Sequence, residues 1–243
     1  MPRYKLVLEY AGTRYSGWQI QKNARTVQGE LHKALAASLS DPQFETYGSG
    51  RTDAGVHALA QVVHLDVPTA LPTDTLVERI NDDLPHDINV LSAERMPPRF
   101  HARHSATARH YRYQVSTRRS AFHKPYIWWV KDPLDVDRMR DAAARLTGFA
   151  DFRAFTDDEP EEKSTQVLVT RLEITEANPL ILFHVSGSHF LWKMVRRLVG
   201  ILVACGKGEL TPAQVEALLT SESPLPAQLT APAAGLFLER VDY

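Results

Sequence analysis

The sequence predicts two α+β domains whose sheets can join, with the first over residues 1–104 and the second over 105–243. Three observations lead there. Strand-like and helix-like apolar periods alternate in both halves, and a Pro97-Pro98 break separates the halves. The 243 residues, 44% apolar and 23% charged, are enough for two cores of ordinary size.

The elements follow in order. Tyr4, Leu6, Leu8 and Tyr10 alternate with Lys5, Val7 and Glu9, the period of a strand. Thr26 stands as N-cap before Val27, Leu31, Leu35 and Leu39, which recur every four residues along one helix face. A turn-rich stretch from Gly48 to Gly55 leads to a strand over 61–67. A helix over 74–84 and a strand over 88–93 complete a β-α-β-α-β half. The second half opens with a strand over 111–117. A helix follows with Asp135 as cap, an apolar face of Val136, Met139, Ala143 and Leu146, and Gly148 as terminator. Strands over 171–176 and 180–186 meet at an Asn178-Pro179 turn. A long helix spans 190–205, Thr211-Pro212-Ala213-Gln214 is a capping box opening a last helix, and a strand over 236–241 closes the chain.

Composition narrows the function. No stretch reaches the ~20 apolar residues of a membrane span, and the opening MPRYKLVLEY lacks the apolar run of a signal peptide. Cys205 is the single cysteine, so no disulfide framework forms within the chain. The expectation is a cytoplasmic protein. The ten histidines are scattered and none has HExxH spacing, so no metal site is expected. Net charge is −1, yet nine Lys or Arg and no acid fall between Arg95 and Lys131. That run also holds Tyr111, Tyr113, Phe122, Tyr126, Trp128 and Trp129. A solvated face explains such a run as well, but interleaved cations and aromatics suit phosphate contact and base stacking.

The stretch GSGRTDAGVHA, Gly48 to Ala58, concentrates chemistry: three glycines in eight residues, with Arg51 and Asp53 between them. It lacks the GK[ST] ending of a P-loop and the spacing of a dinucleotide fingerprint. An ordinary Gly-rich turn, in which Arg51 and Asp53 pair, is the alternative from composition alone.

GSGRTDAGVHA resembles the signature of the TruA family of tRNA pseudouridine synthases. Further blocks are similar in order: Thr13–Gln21, Thr26–Gln28, Phe100–Arg103, Ala108–Tyr113, Phe190–Arg196 with Gly200, Gly235–Leu238 and Val241–Tyr243. The resemblance implies the pseudouridine synthase fold, two ferredoxin-like or RRM-like domains whose antiparallel sheets join around a central cleft. It implies isomerisation of uridine at positions 38, 39 and 40 of the tRNA anticodon stem-loop, by a homodimer without metal or organic cofactor.

Asp53 is then the catalytic carboxylate. It could attack the sugar, attack the ring or take a proton, and the residues leave all three routes open. Arg196 is the cation that pairs with Asp53 and keeps it ionised. Without the family it reads as a basic residue on an exposed helix side. Tyr111 stacks on the uracil, and Arg51 helps hold the target nucleotide out of its stack. His57 matters for its backbone context more than its ring. Arg14, Arg103, Arg109, Arg112, Arg118 and Arg119 are candidate phosphate contacts.

Three departures stand out. Ala11 replaces the usual Asp of a YDGT segment, Ser49 replaces Ala, and 163–169 lacks an RTI-like element. The acidic stretch 157–162 is local to this chain. A catalytically silent RNA-binding protein of the same fold is the alternative, although binding alone does not call for a carboxylate in a phosphate-facing groove. A glycosidic hydrolase needs two carboxylates flanking the bond, and only Asp53 has a matching context.

Overall fold

Alternation sets the first strand: Tyr4, Leu6, Leu8 and Tyr10 are the buried set of β1 (Arg3–Tyr10) in the computed structural model, which describes residues 1–39, 43–68, 70–157 and 164–243. After β1 a short 3-10 turn spans Gly12–Arg14. Helix α1 (Val27–Ser38) begins as Thr26 predicts, its side-chain oxygen accepting the Gly29 N–H at 3.2 Å. Val27, Leu31 and Leu35 are buried, while Leu39 falls past the helix end as its C-cap. Then come β2 (Glu45–Gly48), β3 (His57–Asp66), α2 (Thr73–Asp83) and β4 (Ile88–Met96).

Strand β2 corrects the expected β-α-β-α-β order. β3 pairs antiparallel with both β1 and β2, and β1 pairs antiparallel with β4. β1 and β2 therefore run parallel, joined by α1, with β3 inserted between them. That split β-α-β arrangement is the ferredoxin-like βαββαβ unit.

The second half contains β5 (Ala108–Ser116), β6 (Trp128–Trp129), α3 (Val136–Arg145), β7 (Gly148–Asp151), β8 (Gln166–Ala177) and β9 (Leu180–Gly187). Three helices follow: α4 (Met194–Gly206), α5 (Pro212–Ala217) and α6 (Leu225–Gln228). β5, β9, β8 and β7 form an antiparallel sheet in that order, and β6 lies parallel beside the end of β5. Asp135 caps α3 by accepting the Arg138 N–H at 2.9 Å, and Gly148 takes φ +115° two residues beyond the helix C-cap. Met139, Ala143 and Leu146 are buried as expected, while Val136 is only half-buried. The capping box forms fully: Thr211 Oγ1 accepts the Gln214 N–H at 3.2 Å, and Gln214 Oε1 accepts the Thr211 N–H at 2.9 Å.

α4 is apolar nearly all round, the pattern of a helix inside a core rather than on a surface. Gly200 lets a neighbouring chain reach it, for a Cβ there would lie 1.7 Å from the Leu229 carbonyl oxygen. The helix starts at Met194, four residues after the predicted 190. Lys193, at φ +61°, takes a left-handed conformation just ahead of it.

The chain divides into a unit of Met1–Thr107 with Phe237–Tyr243, and a unit of Ala108–Leu236. The closing strand β10 (Leu236–Asp242), which the sequence reading leaves in the second domain, pairs in parallel with β3 through Phe237↔His57 and Leu238↔Ala58. No helix among the described residues is long and apolar enough to cross a membrane.

Candidate active site

The Asp53 loop is built by two segments locked backbone to backbone. Residues 12–18 wrap over residues 52–56: the Trp18 N–H donates to the Thr52 carbonyl at 3.0 Å, and the Gly55 N–H donates to the Tyr15 carbonyl at 3.3 Å. The approach is close enough to demand glycine. A Cβ on Gly12 would sit 1.9 Å from the Val56 oxygen, and one on Gly17, at φ +92°, would sit 2.7 Å from the Thr52 oxygen. The outer side of the wrap is tied to α1, because the Gly17 and Trp18 carbonyls accept the Val27 and Gln28 N–H groups at 3.1 and 3.0 Å.

Inside the loop, polar side chains fix the chain on both flanks of Asp53. Gln61, fully buried, accepts the Ser49 hydroxyl at 2.7 Å and donates to the Gly50 carbonyl at 3.2 Å. Thr52 Oγ1 and the Tyr10 hydroxyl share a hydrogen bond of 2.8 Å. The Val56 N–H donates to the Asp53 carbonyl at 3.1 Å, closing a turn whose third residue, Gly55, takes φ +78°. Thr52 and Val56 are buried, Asp53 is half-buried and Arg51 is exposed. The hydrogen bond of Arg51 runs from Nε to Gln19 Oε1 at 3.1 Å, so the Arg–Asp pair of an ordinary Gly-rich turn is not what forms.

One expectation changes here. The His57 ring is structural in its own right, since Nδ1 accepts the Gly12 N–H at 3.0 Å and the ring stacks on Phe237 at 4.8 Å. That bond places the ring proton on Nε2 and ties the end of the signature to the segment over it. Ser49 in place of Ala carries no penalty, because Gln61 takes its hydroxyl. At Ala11, the N–H donates to the Asp87 carbonyl at 2.9 Å, and the Asp87 carboxylate accepts the Tyr15 hydroxyl. Burial, then this carboxylate, push the Tyr15 hydroxyl's pKa well above its ordinary value.

Of the remaining candidates in the first unit, Arg14 is exposed on the 3-10 turn of the wrapping segment. Arg103 is exposed in a loop pinned by imidazoles: His64 Nδ1 accepts the Ala102 N–H at 3.0 Å and His101 Nδ1 accepts that of Arg103 at 3.1 Å. Burial holds His64 down to about 4 and lowers His101 as well, so both rings are neutral acceptors near neutral pH.

In the second unit, strand alternation sorts the candidates. Arg109, Tyr111, Tyr113 and Val115 share one face of β5, and Arg112 lies on the other. Tyr113 is fully buried and donates its hydroxyl to the Pro232 carbonyl at 2.7 Å, which makes it a core residue. Tyr111 is half-buried, with Phe190 edge-on to its ring at 5.2 Å. Gly187 leaves room for Phe190, whose ring atom lies 3.1 Å from where a Cβ would stand. Arg109 donates to the Ser188 carbonyl at 2.8 Å in the same loop.

Arg196 is not an exposed side chain of α4. It is half-buried, with Nε donating to the Ala231 carbonyl at 2.7 Å, while the Ala231 N–H returns a bond to the Arg196 carbonyl at 3.1 Å. Beside it, Arg197 is buried and bonded to Asp157, which Lys193 also reaches at 3.1 Å. These partners hold the Asp157 carboxyl below its ordinary value, the Arg197 hydrogen bond first. Asp157 thereby gains a structural account. Residues 158–162 of the acidic stretch, and Lys163, lie outside the described residues. No group of three His, Cys, Asp or Glu among the described residues could hold a metal ion.

Sequence reasoning missed Gln61, Gly12 and Phe190. A glutamine inside the otherwise apolar run of β3 was the available signal for the first, since a polar group buried in a sheet requires partners. Nothing local marks Phe190 as the neighbour of Tyr111.

Comparison with known proteins agrees along the chain. A family model described as tRNA pseudouridine synthase matches residues 6–105 and 142–243. A protein of Afipia carboxidovorans named tRNA pseudouridine synthase A is 42% identical over 246 residues, with both chains covered completely. Proteins of the same name from Methylobacterium nodulans and an Exiguobacterium species are 44% and 37% identical over all of this chain and 96% and 98% of theirs.

Proposed function

Because the chain belongs to the tRNA pseudouridine synthase family, we propose that it isomerises uridine to pseudouridine at positions 38, 39 and 40 of the tRNA anticodon stem-loop. The reaction breaks the bond from N1 to the ribose, turns the base and joins C5 to the same ribose carbon. C5 gives up a proton and N1 gains one, so nothing is consumed and no cofactor is required. Asp53 is the carboxylate that acts on the uridine, Tyr111 the ring that stacks on the uracil, and Arg196 the cation that keeps the carboxylate ionised. Arg51 holds the flipped nucleotide, and Arg14, Arg103, Arg109 and Arg112 contact phosphates. The enzyme works in the cytoplasm as a homodimer on tRNA, without a membrane or another protein.

The observation that supports this reading best is the Asp53 loop: a half-buried carboxylate on a backbone fixed from both sides, inside a stretch the family model matches. A reacting group held this way loses little entropy on meeting its substrate. Tritium release from C5-labelled uridine in unmodified tRNA tests it. The protein should release tritium and Asp53→Asn should not, while tRNA affinity stays nearly intact because removing an anion does not weaken phosphate binding. Normal turnover by Asp53→Asn would overturn the assignment.

A further inference from the structure

The segment between β5 and α3 lies outside both stretches that the family model matches. It also holds exposed cations and rings of the basic and aromatic run. Tyr113 belongs to the core, but Arg118, Arg119, Lys124 and Lys131 are all exposed. With them stand Phe122, Tyr126 and Trp129, at 90%, 38% and 41% exposure. A phenyl ring left this open forgoes the roughly 1.5–3 kcal/mol that burial would contribute, so the fold gains nothing from it.

The rings and cations sit on a fixed frame. Val115 and Ser116 pair with Trp128 and Trp129, and the Val130 N–H donates to the Ser116 carbonyl at 3.0 Å. The Ser116 hydroxyl donates to the Arg118 carbonyl at 2.7 Å, and Gln114 donates to the Tyr126 carbonyl at 3.0 Å. Arg119 stands 5.7 Å from the Trp129 ring centroid, so a flat cation and an indole face solvent together. None of the four cations is paired with a carboxylate among the described residues. The first acid past the segment, Asp132, is paired with Lys207 at 3.1 Å.

We infer that residues 117–131 form a second RNA-docking surface, with Arg118, Arg119 and Lys124 on phosphates and Phe122 and Trp129 against bases or riboses. The inference rests on the proposed tRNA substrate. A second copy of the chain is the rival occupant, but a symmetric pair would bring the same unpaired cations face to face. A polyanion neutralises them and releases its counterions.

The test uses the full chain with Arg118→Ala, Arg119→Ala and Lys124→Ala combined, and Phe122→Ala separately. Binding of unmodified tRNA is measured across a salt series. Each lost phosphate contact flattens the slope of log affinity against log salt by about 0.7–0.9. The triple variant should therefore lose roughly two in slope, and KM for tRNA should rise about tenfold or more. Phe122→Ala should weaken binding at every salt concentration without changing the slope, as expected for a lost stacking contact. Wild-type slope and KM in the triple variant would overturn the inference. So would an unchanged slope together with a fall in sedimentation mass, which would assign the surface to a second copy. A wild-type protein that released no tritium from tRNA, yet lost slope in the triple variant, would sink the proposed reaction and leave the docking surface standing.

Discussion

Gly12→Ala is the sharpest perturbation of the Asp53 loop, because its consequence is geometric. The added Cβ would lie 1.9 Å from the Val56 oxygen and 2.6 Å from its carbonyl carbon, where real Cβ contacts essentially never fall under 3.0 Å. The two segments must part by about 1 Å, and what meets the methyl is backbone with no rotamer to turn. Val56 is buried and its N–H is bonded to the Asp53 carbonyl, so the movement passes to Asp53, the proposed catalytic carboxylate. Overpacking of this kind costs about 1–3 kcal/mol, and weakening the Gly12 to His57 bond adds roughly 1 kcal/mol. At roughly 2–4 °C per kcal/mol for a chain of this size, Tm falls by about 5–15 °C. Misplacing a reacting group by about 1 Å costs on the order of a hundredfold in rate. Differential scanning calorimetry through the unfolding transition, and tritium release below the new Tm, measure the two effects separately. Gly12→Ala with Tm within 2 °C of wild type (roughly 1 kcal/mol) and unimpaired turnover would refute the reasoning.

Three other expectations follow from single side chains. Thr211→Ala removes one half of the capping box and should cost about 1 kcal/mol in urea unfolding; no change would mean the α5 start is held by packing instead. His64 must stay neutral to accept the Ala102 N–H, and burial, assisted by Arg3 and His101 and opposed by Asp66, lowers its pKa to about 4 from an ordinary 6.5. The unfolded chain takes up the proton first, so this part of stability is intact above pH 6.5 and is lost as pH falls toward 4. His64→Asn keeps an acceptor without that proton, and its urea midpoint should drop less between pH 7 and pH 5; an equal drop would clear His64 of the effect. Arg109→Ala and Arg112→Ala should each lower the salt slope of tRNA binding by about one and, lying on opposite faces of β5, should add in the double variant. An unchanged slope would remove that residue from the interface.

What the sequence discloses depends on whether the deciding contacts are local. β1 and α1 are legible because alternation and a Thr cap act within a few residues, and the α5 capping box is complete in four. β2 is not legible: its four residues bury one side chain and become a strand only by pairing with Val63–Asp66. β6, two residues long, depends in the same way on the end of β5. β3 starts at His57 rather than 61 because Ala58 pairs with Tyr10 and His57 with Phe237, partners far apart in sequence. The late start of α4 has a similar cause, since Phe190 is drawn to Tyr111 and Lys193 breaks the helical path.

The candidate site obeys the same rule with a different result. Most of GSGRTDAGVHA is consumed by packing. A Cβ on Gly48 would press on the Trp18 indole at 2.9 Å, Ser49 satisfies Gln61, Thr52 bonds Tyr10, and Gly55 takes a positive φ. Val56 lies under Gly12, and His57 accepts the Gly12 N–H. These residues would be needed in this loop whether or not it performed any reaction. Arg51 and Asp53 are different: one is exposed and the other half-buried, and the Gln61 and Tyr10 side chains hold the backbone on either side of Arg51. Packing therefore accounts for most of the signature, and the proposed chemistry rests on the two charged side chains between its glycines, Asp53 and the Gln19-bonded Arg51.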